Sequence, residues 1–368
     1  MLNLYIQKIS FENYRNLKNN LFIPSQGINV IYGDNAQGKT NLIEAIWLFT
    51  GGRSFRGARD QELVAFGKKY AKLTLKFYAG EREQNMELLI SGGKRSAVLN
   101  DVSKSALSQI IGSFCCVVFS PDHLTLVKNG PEERRSFIDA ALCQIKPSYA
   151  HHLSRYKRIL NERNALLKDI PRHRELEDMI DIWDERLCSV GAVVAMERYQ
   201  YTNKLSELAH SFYDGISSGK EALALSYKTG CDCESMNYEE IREKLMTSLK
   251  KRQTDDIYCG YTTVGVHRDD LNIRINGKEA RSFGSQGQQR SVVLSMKLAE
   301  AALLGTEKNE QPVILLDDVL SELDHSRQQY LLEKLSGMQV FITCCEKEID
   351  AENKVRIQNG SISAMEEY

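Results

Sequence analysis

No segment of the chain is apolar for long enough to span a membrane, which takes about 20 consecutive residues. The first ten residues interleave Asn3, Gln7 and Lys8 with apolar side chains and so lack the unbroken core of a signal peptide. The nine cysteines never adopt the C-x-x-C spacing. They fall as Cys115-Cys116, Cys344-Cys345, Cys231-x-Cys233 and singles, which sets aside zinc-ribbon and thioredoxin-like chemistry. A reduced, cytoplasmic chain with no membrane partner is the simple expectation. An excess of one charge is also missing. With 48 Lys and Arg against 49 Asp and Glu, the net charge is −1, so no whole-molecule field draws the protein to nucleic acid and any DNA contact needs a local basic surface. There is no fixed-period repeat and no low-complexity tract, which excludes solenoids and long solvating tails.

What is present is an ordinary globular composition, 42% apolar and 26% charged, over 368 residues, a length that suggests two lobes. Residues 2–11 alternate loosely, and Ile28-Asn29-Val30-Ile31-Tyr32 reads as a buried strand. A glycine loop follows. Leu42, Ile43, Ile46 and Phe49 then recur at helical spacing until Gly51-Gly52. Residues 71–119 carry short strand patterns, whereas 131–142, 149–167 and 175–216 carry apolar positions at i, i+3 and i+4. Strand character is expected again over 262–275, with Asn276-Gly277 as a hairpin turn, then a helix over 285–304, a buried strand over 312–317, a helix over 325–335 and a strand over 340–343. The fold class is α/β: a nucleotide-binding lobe with a mixed sheet and β-rich flank, split in sequence by an inserted, mostly helical second lobe. The boundaries drawn are 1–120 and 261–368 for the two halves of the first lobe, and 121–260 for the second.

Gly33-Asp34-Asn35-Ala36-Gln37-Gly38-Lys39-Thr40 fits GxxxxGK[ST] between a strand and a helix. Backbone N–H groups of such a loop, with the helix N-terminus, surround the phosphates of ATP; Lys39 meets the β- and γ-phosphates and Thr40 meets Mg²⁺. Val313-Ile314-Leu315-Leu316-Asp317-Asp318 is an apolar strand ending in two acids. Alone it marks an ordinary strand end. Behind a phosphate loop it delivers a metal-holding carboxylate, Asp317, and places Asp318 to polarise the attacking water, a position where Glu is usual. Ser285-Gln286-Gly287-Gln288-Gln289-Arg290 opens a helix, as a Ser cap does, and also resembles the Ser-Gly-Gly-Gln signature of ABC ATPases with Gln286 replacing a glycine. Ser321-Glu322-Leu323-Asp324 matches the D-loop that follows the acidic strand in those proteins.

Taken in order, these elements resemble RecF, the bacterial recombination and repair ATPase family related to the SMC proteins. The resemblance spans nearly the whole chain. It is carried by Phe11-Glu12-Asn13-Tyr14-Arg15-Asn16, by the loop through Asn41, by Arg53-Ser54-Phe55-Arg56 and by Phe119-Ser120-Pro121-Asp122. Pro131-Glu132-Glu133-Arg134-Arg135-Ser136-Phe137-Ile138-Asp139, Gly265-Val266-His267-Arg268-Asp269-Asp270 and the stretch from Leu316 to Asp324 complete it. It implies Arg15 and Asn41 at the nucleotide beside the loop, and Ser285, Gln286, Gly287 and Gln288 acting in trans on the site of a second copy. Ser321 and Asp324 would lie at that interface. The implied activity is weak ATP hydrolysis to ADP and phosphate. ATP would close a homodimer on DNA, single-stranded or at single-strand/double-strand junctions, with RecR- and RecO-type mediators as partners.

Three departures qualify what the resemblance carries. Val266 stands where the RecF pattern has proline, the glutamine with which many ABC proteins sense the metal is not evident near residues 119–122, and Thr343-Cys344 replaces the histidine usual after the last core strand. Hydrolysis is therefore expected to be slow, with γ-phosphate sensing resting on Thr343 or on the partner. Basic residues gather at Arg53, Arg56 and Arg59, at Arg155, Lys157 and Arg158, and at Lys250-Lys251-Arg252, each of which also fits a solvated surface. The rival reading is an ABC-type ATPase subunit coupled to a membrane or other protein partner, which would normally carry the two missing sensors. An SMC-like arm does not fit, since the roughly 245 residues between Lys39 and Ser285 are partly β-rich and too few for a long coiled coil.

Overall fold

The computed structural model describes residues 2–18, 20–230, 233, 235–345 and 351–364; Cys231 of the Cys231-x-Cys233 pair lies outside them. Two six-stranded sheets and a helical lobe make up the molecule. The central sheet runs Ser361–Ala364, Asn353–Gln358, Ile28–Tyr32, Val340–Cys344, Val313–Asp317, Cys116–Phe119. All its pairings are parallel except the first. Parallel strands are covered on both faces, which is why Val313–Asp317 is apolar throughout and wholly buried. The helix Lys39–Leu48 packs on this sheet against Val313–Asp317 and Val340–Cys344. The second sheet, Asn20–Phe22, Tyr5–Glu12, Tyr70–Ala79, Arg82–Ser91, Lys94–Leu99, Val102–Lys104, is antiparallel throughout. Its strands alternate buried and accessible residues, as one-faced sheets do.

The second lobe holds the helices Pro131–Ile145, Pro147–Asp169, Ile180–Ser217 and Tyr238–Cys259. A small sheet, Leu223–Lys228, Asp270–Ile275 and Lys278–Glu279, packs into the same core. Asn276 and Gly277, both at positive φ, make the expected tight turn. Two expectations change here. Residues 262–269 form an irregular loop instead of strand, because Val264 and Val266 are covered by tertiary packing and not by strand pairing. The break drawn at residue 260 runs through a continuous core, since Val266, Leu271, Ile273, Val292 and Met296 join the helical lobe.

The helix Gln286–Lys308 is the seam between lobes. Leu294, Leu298, Ala301 and Leu304 enter the nucleotide-lobe core, while Val292, Val293, Met296, Ala299 and Leu303 enter the second core. Helical periodicity sends these two sets to opposite sides of one rod. A shift at its Ser285 end is therefore felt in both cores.

Candidate nucleotide site

The phosphate loop sits at the carboxyl ends of the parallel strands, where α/β sheets bind ligands. Two glycines are obligatory. A Cβ on Gly33, at φ +151, would lie 2.4 Å from the Ile357 carbonyl oxygen, and one on Gly38, at φ +115, 2.9 Å from Asn16 Oδ1. Gly38 is also the N-cap of Lys39–Leu48, a helix with no side-chain cap, so the first-turn N–H groups are left to a ligand. Lys39 is buried, and its ammonium donates to the Gly33 and Asp34 carbonyls, at 2.5 and 3.3 Å, with Cys345 Sγ at 3.5 Å. Behind the loop, the N–H groups of Asn359 and Gly360 donate to the Gln37 side chain and carbonyl, so the terminal hairpin clasps it.

Three strands converge on the acids. Asp317 is buried, and its carboxylate accepts from Thr40 Oγ1 at 2.9 Å and from Thr343 Oγ1 at 2.8 Å. Burial raises its pKa above the usual carboxylate range, against the lowering effect of those two hydroxyls. A buried carboxylate beside a hydroxyl is the kind of oxygen donor set that Mg²⁺ would take in combination with phosphate oxygens. Asp318 adopts positive φ, its N–H donates to Thr343 Oγ1 at 2.9 Å, and it faces the cavity. Register pairs Thr343 with Asp317 on one side and Ile31 on the other, so one hydroxyl joins both acids to the strand that feeds the loop. The segment after Cys116–Phe119 supplies none of the described cavity-lining residues. There Ser120 and His123 cap a short 3-10 turn, and burial keeps His123 neutral.

The cavity, about 860 Å³, is lined by Asn35, Ala36, Gly38, Lys39, Thr40 and Asn41 of the loop and by Arg15, Asn16, Arg56, Asp318 and Thr343. Its remaining wall, Gln61, Glu62 and residues 64–68, escaped sequence reasoning. Arg15 lines the cavity while being held from behind: Nε and Nη2 each donate to the Glu44 carboxylate at 2.9 Å, and Nη1 donates to the Glu62 carbonyl at 3.2 Å. Tyr14 and Ser54 also donate to Glu44. Burial pushes that carboxyl up, but these hydrogen bonds outweigh it and hold Glu44 below its ordinary range. Arg56, grouped above with the basic residues 53–59, donates to Asn41 Oδ1 at 3.1 Å on the cavity wall.

Ser285, Gln286, Gly287 and Gln288 are not among the cavity-lining residues. Ser285 caps Gln286–Lys308 in a capping box with Gln288, and Ser285 and Gln286 are exposed. Ser321 donates to the Asp318 carbonyl at 2.9 Å, and Asp324 caps His325–Lys334. Arg290 donates to the Glu322 carbonyl at 2.9 Å, and Arg327 to Ser291 Oγ at 2.9 Å. Residues 321–324 and the helix they open are thus tied to the helix Gln286–Lys308 on one side and to the end of the strand Val313–Asp317 on the other.

Residues 5–360 match the RecF/RecN/SMC N terminal domain family. The chain is 41% identical over 348 residues to the DNA replication and repair protein RecF of Ruminiclostridium cellulolyticum, covering 94% of each. It is 38% identical over 368 residues to that of Bacillus subtilis, covering 98% of this chain and 100% of the relative. The chain belongs to the RecF family. A solved structure of the recombination mediator protein RecF with ATP, in the RecFOR pathway, superposes with a TM-score of 0.94 at 38% identity, covering 99% of this chain and 98% of the other. The Smc head domain of Pyrococcus furiosus shares the fold alone, with a TM-score of 0.56 at 18% identity over 98% of this chain and 96% of that one. The architecture is the ABC-type ATPase fold of RecF and SMC heads.

The remaining RecF-like motifs meet in the second lobe. Arg134 pairs with Asp270 through two hydrogen bonds of 2.7 and 2.9 Å, and Arg198 with Asp139 through two of 2.9 and 3.0 Å while also donating to the Val266 carbonyl. Val266, in the RecF proline position, is buried and its loop stays ordered by these contacts. His267 bridges Tyr156 and the Thr262 carbonyl, and burial lowers its pKa to about 4. Among the other basic groups, Arg155 and Lys157 are exposed on one helix, Lys250 lies 3.9 Å from Asp181 and Arg252 pairs with Asp255 at 2.8 Å. Among the described residues no helix is long and apolar enough to cross a membrane.

Proposed function

We propose that this chain is an ATP-dependent DNA-binding clamp of the RecF type, serving recombinational gap repair, replication restart and SOS induction. ATP is its substrate, two copies associate head to tail around it, and slow hydrolysis releases them. The observation that carries this reading is the separation of the site into two faces. The cavity wall has Lys39, Thr40, Asp318 and Thr343, while Ser285 and Gln286 stand exposed elsewhere at a capped helix start. A helix N-terminus is an anion site, so the natural occupant of this one is the γ-phosphate held by a second copy.

The roles follow from the side chains. Lys39 exchanges two carbonyl partners for phosphate oxygens, which keeps the loop folded before substrate arrives. Thr40 and Asp317 hold Mg²⁺, which when bound neutralises phosphate charge. Asp318 orients the attacking water through a side chain one methylene shorter than the usual Glu. Thr343 connects both acids but carries no titratable nitrogen, so it senses the γ-phosphate without adding positive charge. Both features favour a slow ATPase that times the dimer. DNA, single-stranded or at junctions, and RecR- and RecO-type mediators are the partners this reading implies.

Ser285→Arg tests the trans site. The variant should bind ATP as a monomer and fail to dimerise, and ATP-dependent dimerisation of it by light scattering would count against the proposal. Lys39→Met should lower kcat by roughly a hundredfold and abolish nucleotide-stimulated retention on DNA. If ATP leaves DNA binding by the unaltered chain unchanged, the clamp reading fails.

A further inference from the structure

The loop after helix Tyr238–Cys259 is anchored as tightly as a core segment, yet it exposes aromatic and cationic side chains. Thr262 donates from its N–H and its hydroxyl to Asn164 Oδ1, at 2.8 and 2.7 Å, and Thr263 does the same to Asp256, at 2.9 and 2.7 Å. His267 sits between Tyr156 and the Thr262 carbonyl. On this scaffold Tyr258 is 92% and Tyr261 44% exposed, and the Arg268 guanidinium lies 5.6 Å from the Tyr261 ring centroid. Arg268 itself is exposed, and among the described residues no carboxylate pairs with it.

Asp256, Asp269 and Asp270 of the same stretch are taken up by partners within the lobe, whereas Asp255 is exposed and is paired with the exposed Arg252. Asp256 binds Arg163 and Thr263, Asp269 accepts from Tyr227 and the Gly230 N–H, Asp270 pairs with Arg134, and Asp255 pairs with Arg252. The exposed side chains of this stretch therefore include Tyr258, Tyr261 and Arg268, with Asp255 offset by its pairing to Arg252. Lys251 lies seven residues before Tyr258 on one helix, which puts it on the same face, and it is exposed.

We propose that Tyr258, Tyr261 and Arg268 form a stacking platform for single-stranded nucleic acid, with Lys251 extending its phosphate contacts. This rests on the reading that the chain binds DNA, and adds where and in what form. Tyrosine faces stack on splayed bases, which a closed duplex does not offer, and the cations neutralise phosphates without reading sequence. A loop already ordered loses little entropy on binding.

The test is fluorescence anisotropy with a labelled oligothymidine and a duplex, each of about 20 units, long enough for one such site. The variant Tyr258→Ala/Tyr261→Ala should bind the single strand roughly tenfold or more weakly while its duplex affinity stays within about twofold. Tyr258→Phe/Tyr261→Phe should bind like the unaltered protein, since the ring faces remain. Equal single-strand binding by the alanine variant overturns the platform, as does an equal loss on duplex. If the unaltered protein binds neither oligonucleotide, the DNA reading falls with it. Photocrosslinking of iodouridine-substituted single strand to the unaltered protein gives an answer independent of folding of the variants. Crosslinks at Tyr258 or Tyr261 support the proposal, and crosslinks confined to other residues overturn it.

Discussion

Lys39 and Asp317 at the nucleotide cavity contrast with the arginine–carboxylate pairs of the second lobe, while the Arg15–Glu44 pair in the cavity wall resembles the latter. At the cavity, Lys39 is held by backbone carbonyls and Asp317 by two hydroxyls, and among the described residues neither is in an ion pair. In the second lobe, Arg163 lies between Asp184 and Asp256, Arg198 grips Asp139 and Arg134 grips Asp270. Paired charges lock geometry, because removing either partner leaves the other stranded in a low-dielectric interior. Unmatched charges cost stability and are retained where a ligand completes them. The paired arginines form a frame, and the unpaired Lys39 and Asp317 form a receptor.

Breaking a frame pair should have the largest effect. Arg198→Ala strands Asp139 and removes a donor to the Val266 carbonyl, so it should destabilise the second lobe by about 3–5 kcal/mol, read as a lower urea midpoint. Removing a receptor charge should do the reverse. The raised pKa of Asp317 means the folded protein holds that proton more tightly than the unfolded chain. The stability from the protonated form is full below the ordinary carboxylate pKa and is lost as pH rises through the raised one. Asp317→Asn should therefore melt no lower than the unaltered protein at pH 7, with the difference shrinking on acidification, while Mg²⁺-dependent hydrolysis disappears. An Asn variant that melts far lower would erase the contrast.

A smaller effect is expected at His267. Its folded pKa of about 4 lies below the ordinary value, so the unfolded chain takes up the proton first. Stability from this site is present above the ordinary histidine pKa and is lost as pH falls toward 4. Melting curves between pH 7 and 4 should show a shallower decline for His267→Gln than for the unaltered chain.

The parts of this molecule legible in its sequence are those whose chemistry is contiguous. The loop 33–40, the acids at the end of Val313–Asp317 and the Ser285 helix start each need neighbours along the chain, so spacing alone reveals them. Glu44 was not legible: inside a helix it looks like any surface acid, and only the return of Tyr14, Arg15 and Ser54 makes it the anchor of a cavity wall. The wall at residues 61–68 is positioned by tertiary contacts such as Arg15 N–H to the Leu63 carbonyl, which no periodicity encodes. Thr343 was noticed as a substitution, but its role as a link depends on strand register. The misread strand at 262–269 has the same origin, since buried valines at alternate positions look alike whether a sheet or a helix covers them.

The clasp behind the phosphate loop sets an order of events during synthesis. Gln37 waits for Asn359, 322 residues later, before its side chain and carbonyl gain their partners. At about 5–20 residues per second that delay is tens of seconds, during which the loop lacks the support of the strand beside Gly33 as well. A nascent chain that has not yet made residues 353–360 therefore carries a phosphate loop without its clasp, and should hold ATP more weakly than the chain that has.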